Sequence, residues 1–274
     1  MKHELLKLNQ LNLIEDTNPD KSDVLSSFAM DDTLCMSAGE RNESTIRFWV
    51  HRPTAVLGIP DSRLPHIDEA VDYLTNQQHD VIIRNSGGLA VVLDEGILNI
   101  SLIFPHGKNI DIHEGYQAMV SFVQWIFEDE PIEIEAYEIE DSYCPGTYDL
   151  SVNGKKFAGV SQRRVKDGTA VQVYLAIEGS GSKRAELVRQ FYQIGKNDEE
   201  TKFTYPEVNP EVMVTLEEVL NKPMSVEDLV NKINQKLTDS GVQLTKKVLN
   251  EQETEWFEKR LNMMKKRNEQ INSQ

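Results

Sequence analysis

Residues 149–177 carry the strongest structural signal in the chain, because three apolar runs are separated by two pairs of turn residues. The pairs are Asn153-Gly154 and Asp167-Gly168. An Asn-Gly or Asp-Gly pair between apolar runs is the sequence signature of a β-hairpin. The segments 149–152, 156–160 and 170–177 are therefore predicted to be strands of one sheet.

The rest of the chain alternates between helical and strand-like spacing of apolar residues. Helices are predicted at residues 21–38 (with Gly39 as the stop signal), 65–78, 113–127 and 183–192, and again after Pro210. Further strands are predicted at residues 46–50, 54–57, 80–84, 90–93, 98–104 and 132–139. We expect an α+β fold in a single domain, 1–274, with a core at about 25–220. A helical C-terminal extension is expected at 221–274, with frayed ends at 265–274.

Composition excludes several classes of protein. The chain has 274 residues with 29 basic and 45 acidic side chains, a net charge of −16, which argues against nucleic acid as a partner. No apolar run is long enough to span a membrane, and the N-terminal residues lack the features of a signal peptide. Two cysteines cannot form a disulfide framework. A cytoplasmic enzyme is expected.

The first candidate site segment lies between two apolar strands and runs from Arg84 through Ser86 to Gly87 and Gly88. Two glycines let the backbone approach a ligand and aim N–H groups at an oxyanion or carbonyl. A guanidinium at the strand end can hold a negative group. The alternative is a tight turn with a surface arginine, which the local sequence alone favours.

The second segment contains Cys144, followed by Pro145 and Gly146. These two neighbours place the cysteine on a loop. A loop thiol can be accessible, and a thiolate is a good acyl acceptor. The alternative is a small, partly buried apolar residue, and the local sequence does not decide between the two. Cys35, in the first helical stretch, is expected to be a core thiol.

The third segment places Lys156 before Phe157, Ala158 and Gly159. In a pleated strand Lys156 shares a face with Ala158, so its ammonium can point into a site lined by small residues. Such a lysine is a candidate to polarise a carbonyl. The alternative is a hairpin with solvated lysines.

Two motifs together resemble those of the lipoate-protein ligase and octanoyltransferase superfamily. The pattern R-x-S/T-G-G is matched by Arg84, Ser86, Gly87 and Gly88, and the pattern G-x-K-I/F-x-G-x-A/S-Q is matched by Gly154, Lys156, Phe157, Gly159, Ser161 and Gln162. The resemblance covers about residues 25–220. It implies biotin-protein-ligase-like mixed sheets with flanking helices and a helical C-terminal appendage.

The cysteine loop distinguishes the branches of this superfamily. Ligases usually carry R-R-x-S-G-G-G followed by A-V-x-H, whereas Ile83, Leu89 and Leu93 depart from that pattern here. The loop at Cys144 resembles that of the Gram-positive lipoyl amidotransferases. This resemblance implies transfer of an octanoyl or lipoyl group from a lysine of the glycine cleavage H protein to E2 lipoyl domains. Octanoyl-acyl carrier protein as donor, ATP-dependent ligation of lipoate, and a non-catalytic acyl-binding module stay open.

The resemblance also implies roles for individual residues. Cys144 would be the nucleophile that carries the acyl group as a thioester, and Lys156 would hold the acyl carbonyl and stabilise the thiolate. The substrate-binding residues would be Arg84, Ser86, Gly87, Gly88, Gly159, Val160 and Ser161. No cofactor is implied, and no general base is recognisable.

A metal site is not expected, because His106 and His113 flank a short loop without a third ligand at metal spacing. The stretch 154–166 contains basic residues and no carboxylate. Together with Arg84, its side chains are expected to form a positive rim that docks acidic carrier domains; they are Lys155, Lys156, Arg163, Arg164 and Lys166.

Overall fold

Two β-sheets and seven α-helices make up the part of the chain that the structure, a computed structural model, describes: residues 2–21 and 23–272. The helices are α1 (Ser26–Arg41), α2 (Ile67–Asn76), α3 (Ile112–Ile126), α4 (Gly181–Lys196), α5 (Leu216–Leu220), α6 (Val226–Asp239) and α7 (Glu251–Asn272). The strands are β1 (Gln10–Asp16), β2 (Thr45–Trp49), β3 (Thr54–Leu57), β4 (Asp80–Ile83), β5 (Val91–Leu93), β6 (Ile97–Pro105), β7 (Glu135–Ala136), β8 (Leu150–Val152), β9 (Lys155–Val165), β10 (Gly168–Ala176) and β11 (Gln243–Lys246).

Both sheets are mixed, as predicted. The larger sheet has the order β11-β1-β2-β6-β10-β9-β8-β7, and the smaller has the order β4-β3-β5. In the larger sheet β1 is parallel to β2 and β11, while the strands from β2 to β7 pair antiparallel. The two predicted hairpins are confirmed, since β8 pairs with β9 and β9 with β10.

The side chains of β10 alternate between two cores, as expected for a strand buried on both faces. Val171, Val173 and Leu175 pack in a core that includes residues of α3 and α6. Tyr174 and Ala176 point to the other side, where a second core includes residues of the smaller sheet. The smaller sheet therefore packs on the face of the larger sheet to which Tyr174 and Ala176 point.

The predicted end of the first helix is wrong. Helix α1 continues past Gly39 to Arg41 and ends at Asn42 in the left-handed conformation. Gly39 serves close packing instead, since a Cβ there would lie 2.8 Å from the backbone of Asp167. The helix begins at Ser26, within the predicted range, and Ser22 lies outside the described residues.

The strand predicted at residues 132–139 is also largely wrong, because only Glu135–Ala136 pairs, with β8. After this short strand, two backbone N–H groups bond to Asp149: that of Tyr137 donates to its carbonyl and that of Ile139 to its carboxylate. These contacts turn the chain out of the sheet and into a loop.

The C-terminal part is helical, as expected, and it also adds a strand. β11 pairs with β1, and neither strand was predicted. The fraying expected at residues 265–274 is wrong up to Asn272, where α7 ends, and residues 273–274 lie outside the described residues. Asn268 is buried, and its amide group makes hydrogen bonds with both the N–H and the carbonyl of Ile83. Helix α7 thus supports the end of β4, directly before Arg84.

Candidate active site

A cavity of about 250 Å³ lies between the two sheets. All seven predicted substrate-binding residues and Cys144 line it; they come from the turn after β4 (Arg84, Ser86, Gly87, Gly88), the loop before β8 (Cys144) and strand β9 (Gly159, Val160, Ser161). Apolar side chains form much of the remaining wall, among them Phe28, Trp49, Val56, Val91 and Leu93. The fold therefore brings segments that are 60 residues apart in sequence to one apolar cavity.

Cys144 occupies an unusual backbone position at this cavity. Its φ is +46°, in the left-handed region that residues other than glycine rarely adopt. Its Sγ accepts a hydrogen bond from the N–H of Leu89 at 3.2 Å and lies 3.5 Å from Nη2 of Arg84. A thiolate accepts from such donors more strongly than a neutral thiol does. The sulfur is partly exposed, so it can meet a substrate carbonyl.

Two glycines allow the turn at residues 84–90 to lie against the sulfur. Gly88 has φ +102°, and a Cβ there would lie 3.0 Å from Sγ of Cys144 and 2.3 Å from Nη2 of Arg84. Gly58 faces the turn from the end of β3, where a Cβ would lie 1.9 Å from the carbonyl oxygen of Gly88. Any side chain at either position would push the turn away from the thiol.

Arg84 is buried, so it is not the surface residue of the alternative interpretation. Its Nη2 donates to the carbonyl of Leu89 at 2.7 Å and approaches the sulfur. Its Nε is buried and has no hydrogen-bond partner among the described residues. A buried donor without a partner is costly, and a ligand oxygen in the cavity could satisfy it.

Lys156 does not lie where it could contact an acyl group in the cavity. Its side chain is fully buried and is absent from the cavity wall among the described residues. The ammonium Nζ contacts the main-chain side of the cysteine loop; its partners are Asp149 Oδ1 (2.9 Å), Tyr143 O (2.9 Å), Cys144 O (3.0 Å) and Ser142 Oγ (3.1 Å). We expected Lys156 to hold the acyl carbonyl and to stabilise the thiolate, whereas its ammonium binds the backbone carbonyls of the cysteine loop.

Asp149 completes this anchor. Burial raises the pKa of Asp149, and the neighbouring Lys156 ammonium offsets part of that effect. The second carboxylate oxygen accepts from the N–H groups of Gly146 (3.1 Å) and Ile139 (3.3 Å). The loop that carries Cys144 is thus fixed from within by one buried ion pair.

The positive rim expected around the site does not form as predicted. Lys156 and Arg84 are buried. Arg163 makes a salt bridge with Asp32, with Nε and Oδ1 2.7 Å apart. Half of the six cations are thus engaged with partners from α1, the turn after β4 or the cysteine loop, whereas Lys155, Arg164 and Lys166 are exposed.

The structure brings together no metal-binding group of three or more His, Cys, Asp or Glu side chains within residues 2–21 and 23–272. His113 instead makes a hydrogen bond with the hydroxyl of Tyr148, and His106 lies near Asp167. None of the described helices is both long and apolar enough to cross a bilayer.

Sequence reasoning missed a buried pair behind the turn, Asp61 and Tyr192. The hydroxyl of Tyr192 donates to Asp61 at 2.9 Å and accepts from the N–H of Ala90 at 3.0 Å. Burial raises the pKa of Asp61 to about 6. The sequence carries one hint, because Asp61 closely follows the predicted strand 54–57, but nothing in it connects residue 61 to residue 192.

Residues 23–238 match a family model described as the lipoyl protein ligase A/B catalytic domain. The chain belongs to this family. It is 50% identical over 269 residues to a protein of Exiguobacterium sibiricum named octanoyl-[GcvH]:protein N-octanoyltransferase, covering 98% of each chain. A protein of the same name from Staphylococcus aureus is 45% identical over 249 residues, covering 90% of each. The family and the branch that the motifs indicated are confirmed.

Solved structures of the family show the same fold at low sequence identity. A bi-partite lipoate protein ligase from Thermoplasma acidophilum superposes with a TM-score of 0.70 at 16% identity, covering 96% of this chain and 97% of that one. Lipoate-protein ligase A bound with ATP also gives 0.70 at 16% identity, covering 92% and 94%. The α+β architecture expected from the sequence is thus confirmed.

Proposed function

We propose that the chain is an acyltransferase that moves an octanoyl group from a lysine of the glycine cleavage H protein to a lysine of the lipoyl domains of 2-oxoacid dehydrogenase E2 subunits. One observation carries the proposal: the thiol of Cys144 opens onto an apolar cavity, between the Leu89 N–H and the Arg84 guanidinium. The names of the family members that are about half identical over nearly the whole chain support the donor.

In the first step the sulfur of Cys144 attacks the carbonyl carbon of the acylated lysine. The carbonyl oxygen becomes an oxyanion, which the Arg84 guanidinium and backbone N–H groups of the turn can stabilise. The carbon–nitrogen bond breaks, the lysine amine leaves with the proton that the thiol has given up, and a thioester with Cys144 remains. Lys156 acts here by holding the Cys144 carbonyl, and not by touching the acyl group.

In the second step the lysine of the acceptor domain attacks the thioester. A new amide forms, the carbon–sulfur bond breaks, and the proton that the amine loses returns to the sulfur, so the enzyme regains its starting state. One amide replaces another, so the overall exchange is nearly thermoneutral and needs no ATP. The covalent intermediate divides one difficult exchange into two easier steps.

The cavity suits a medium-length apolar chain. Its wall includes aromatic side chains of α1 (Phe28) and the larger sheet (Trp49) and aliphatic side chains of the smaller sheet (Val56 and Leu93). Burying each methylene group contributes about 0.8 kcal/mol. A reactive thiolate also requires a reducing compartment, and we propose the cytoplasm for that reason.

The donor is tested by giving the enzyme one acylated donor at a time, with a lipoyl domain as acceptor. We expect transfer from octanoylated H protein without ATP, and much slower transfer from octanoyl-acyl carrier protein. An H protein with arginine at the acylated lysine is the control for background. Labelling that depends on ATP and free octanoate or lipoate would instead show a ligase.

A further inference from the structure

One peptide of the turn at the thiol is held at both ends. The carbonyl of Leu89 accepts from Nη2 of Arg84 at 2.7 Å, and the N–H of Ala90, in the same peptide plane, donates to the hydroxyl of Tyr192 at 3.0 Å. The preceding N–H, that of Leu89, donates to Sγ of Cys144. The orientation of the peptide between residues 89 and 90 therefore helps to set the direction of the donor that faces the sulfur.

Tyr192 is itself held by a buried carboxylate. Its hydroxyl donates to Oδ1 of Asp61 at 2.9 Å, and Oδ2 of Asp61 accepts from the N–H of Gly58 at 2.7 Å. Gly58 in turn packs against the carbonyl of Gly88. Because Asp61 is fully buried and Tyr192 nearly so, water does not substitute for these contacts. The pair thus connects the turn to both α4 and the end of β3.

We infer that Tyr192 is a positioning residue for acyl transfer and that, through Asp61, it fixes the turn at residues 88–90 so that the Leu89 N–H points at Cys144. This role deepens the proposed function and rests on it. Tyr192 does not line the cavity among the described residues, so it acts through the turn and does not touch the substrate. A displacement of a donor by a fraction of an ångström is enough to slow a reaction markedly.

The test compares Tyr192→Phe with Tyr205→Phe. The Tyr205 hydroxyl donates to the carbonyl of Pro60 at 2.7 Å, and the two rings lie 5.6 Å apart, so each variant loses one hydroxyl group in the same layer. Tyr192→Phe loses two hydrogen bonds and Tyr205→Phe loses one. Of the two hydroxyls, that of Tyr192 bonds to the turn and that of Tyr205 bonds to Pro60. The single-turnover rate constant for acylation by octanoylated H protein is measured together with the half-saturating donor concentration and the melting temperature.

We expect Tyr192→Phe to lower the acylation rate constant about 10-fold while the half-saturating concentration stays within about 2-fold. Tyr205→Phe should change neither, although it also loses a hydroxyl contact and some stability. Asp61→Asn is the second variant in the same series, and we expect it to slow acylation in the same direction. A Tyr192→Phe enzyme that acylates as fast as Tyr205→Phe would overturn the proposal.

A second readout separates this inference from the proposed function. The rate of Cys144 alkylation by iodoacetamide reports on the donors at the sulfur and needs no acyl donor. We expect Tyr192→Phe to slow alkylation several-fold and Tyr205→Phe to leave it unchanged. If the wild type forms no acyl-enzyme but this difference appears, the proposed function fails and the positioning role stands; equal alkylation rates overturn the positioning role.

Discussion

Cys35 and Cys144 are both free thiols, but their surroundings differ in every respect that governs reactivity. Cys35 is fully buried inside α1, and its burial, followed by the charges of Asp31 and Asp32, raises its pKa well above the usual value. Cys144 opens onto a cavity and has an N–H and a guanidinium directed at its sulfur. The comparison teaches that neighbours from distant segments, more than the local sequence, set the surroundings on which the reactivity of a cysteine depends.

The two cysteines also differ in what holds their backbone. Cys35 lies in a regular helix, and its side chain packs among apolar neighbours such as Leu34 and Ile103. Cys144 has a left-handed backbone, fixed by the buried ammonium of Lys156 and the carboxylate of Asp149. A strained loop held by polar contacts places the sulfur at the cavity.

The largest expected effect comes from removing each thiol in turn. Cys144→Ala should lower octanoyl transfer by at least about 10³-fold, because alanine has no sulfur to carry the acyl group as a thioester. Cys35→Ala should retain most of the activity and lose some stability, since it only opens a small space in the core. Steady-state transfer to a lipoyl domain measures both. Comparable losses in the two variants would contradict the distinction.

Breaking the loop anchor should have the next largest effect. Lys156→Met leaves the carboxylate of Asp149 buried without its partner, and such a change costs about 3–5 kcal/mol of unfolding free energy. The matched control is Lys155→Met, whose side chain is exposed and should change stability by less than about 0.5 kcal/mol. Urea unfolding measures both. Wild-type stability in Lys156→Met, combined with slow transfer, would instead show that Lys156 acts on the substrate.

Thiol accessibility sharpens the same comparison without any substrate. In the native protein, iodoacetamide should modify Cys144 faster than Cys35 by on the order of 100-fold, because Cys35 reacts only after local opening of α1. Peptide mapping by mass spectrometry at successive times gives the two rates. Similar rates would mean that Cys35 is exposed by frequent opening.

The polar framework behind Cys144 should also give the molecule a distinct pH dependence. Asp61 faces Tyr192, Tyr205 and the guanidinium of Arg84, and burial raises its pKa from 3.8 to about 6. The folded state therefore binds the proton of Asp61 more tightly than the unfolded state does. Protonation of Asp61 adds its full contribution to stability below about pH 4, and this contribution is lost as the pH rises through 6.

Asp61→Asn removes that titration. Relative to this variant, the wild type should lose about 2–3 kcal/mol of unfolding free energy between about pH 4 and 6.5. Urea unfolding of both proteins across this range gives the difference, and groups common to the two cancel. Parallel stability curves would contradict a raised pKa at Asp61.

Local signals account for what could be predicted from the sequence. The Asn153-Gly154 and Asp167-Gly168 turns fix the hairpins within a few residues, so β8, β9 and β10 were predictable. Strands β1 and β11 were missed because they mix polar with apolar residues and bury few side chains. The strand predicted at 132–139 failed because the N–H groups of Tyr137 and Ile139 donate to Asp149 outside a regular ladder.

The same division applies to the site. The motif residues Arg84, Gly88 and Cys144 were found because the two motifs and the cysteine loop together resemble those of the family, whereas no single segment was decisive. The partners of Lys156 and the Tyr192–Asp61 pair were not found, since they depend on how the cysteine loop, α4 and the end of β3 meet in space. Sequence motifs thus indicate which segments form the site, whereas the residues that hold those segments in place are set by tertiary contacts.

The most direct test of the account is the mass of the intact protein after mixing with octanoylated H protein in the absence of an acceptor. The account predicts one octanoyl adduct, located on Cys144 by peptide mapping, present in Cys35→Ala and absent in Cys144→Ala. Addition of a lipoyl domain should discharge it. Full transfer activity in Cys144→Ala, or an adduct on any other residue, would contradict the thioester route.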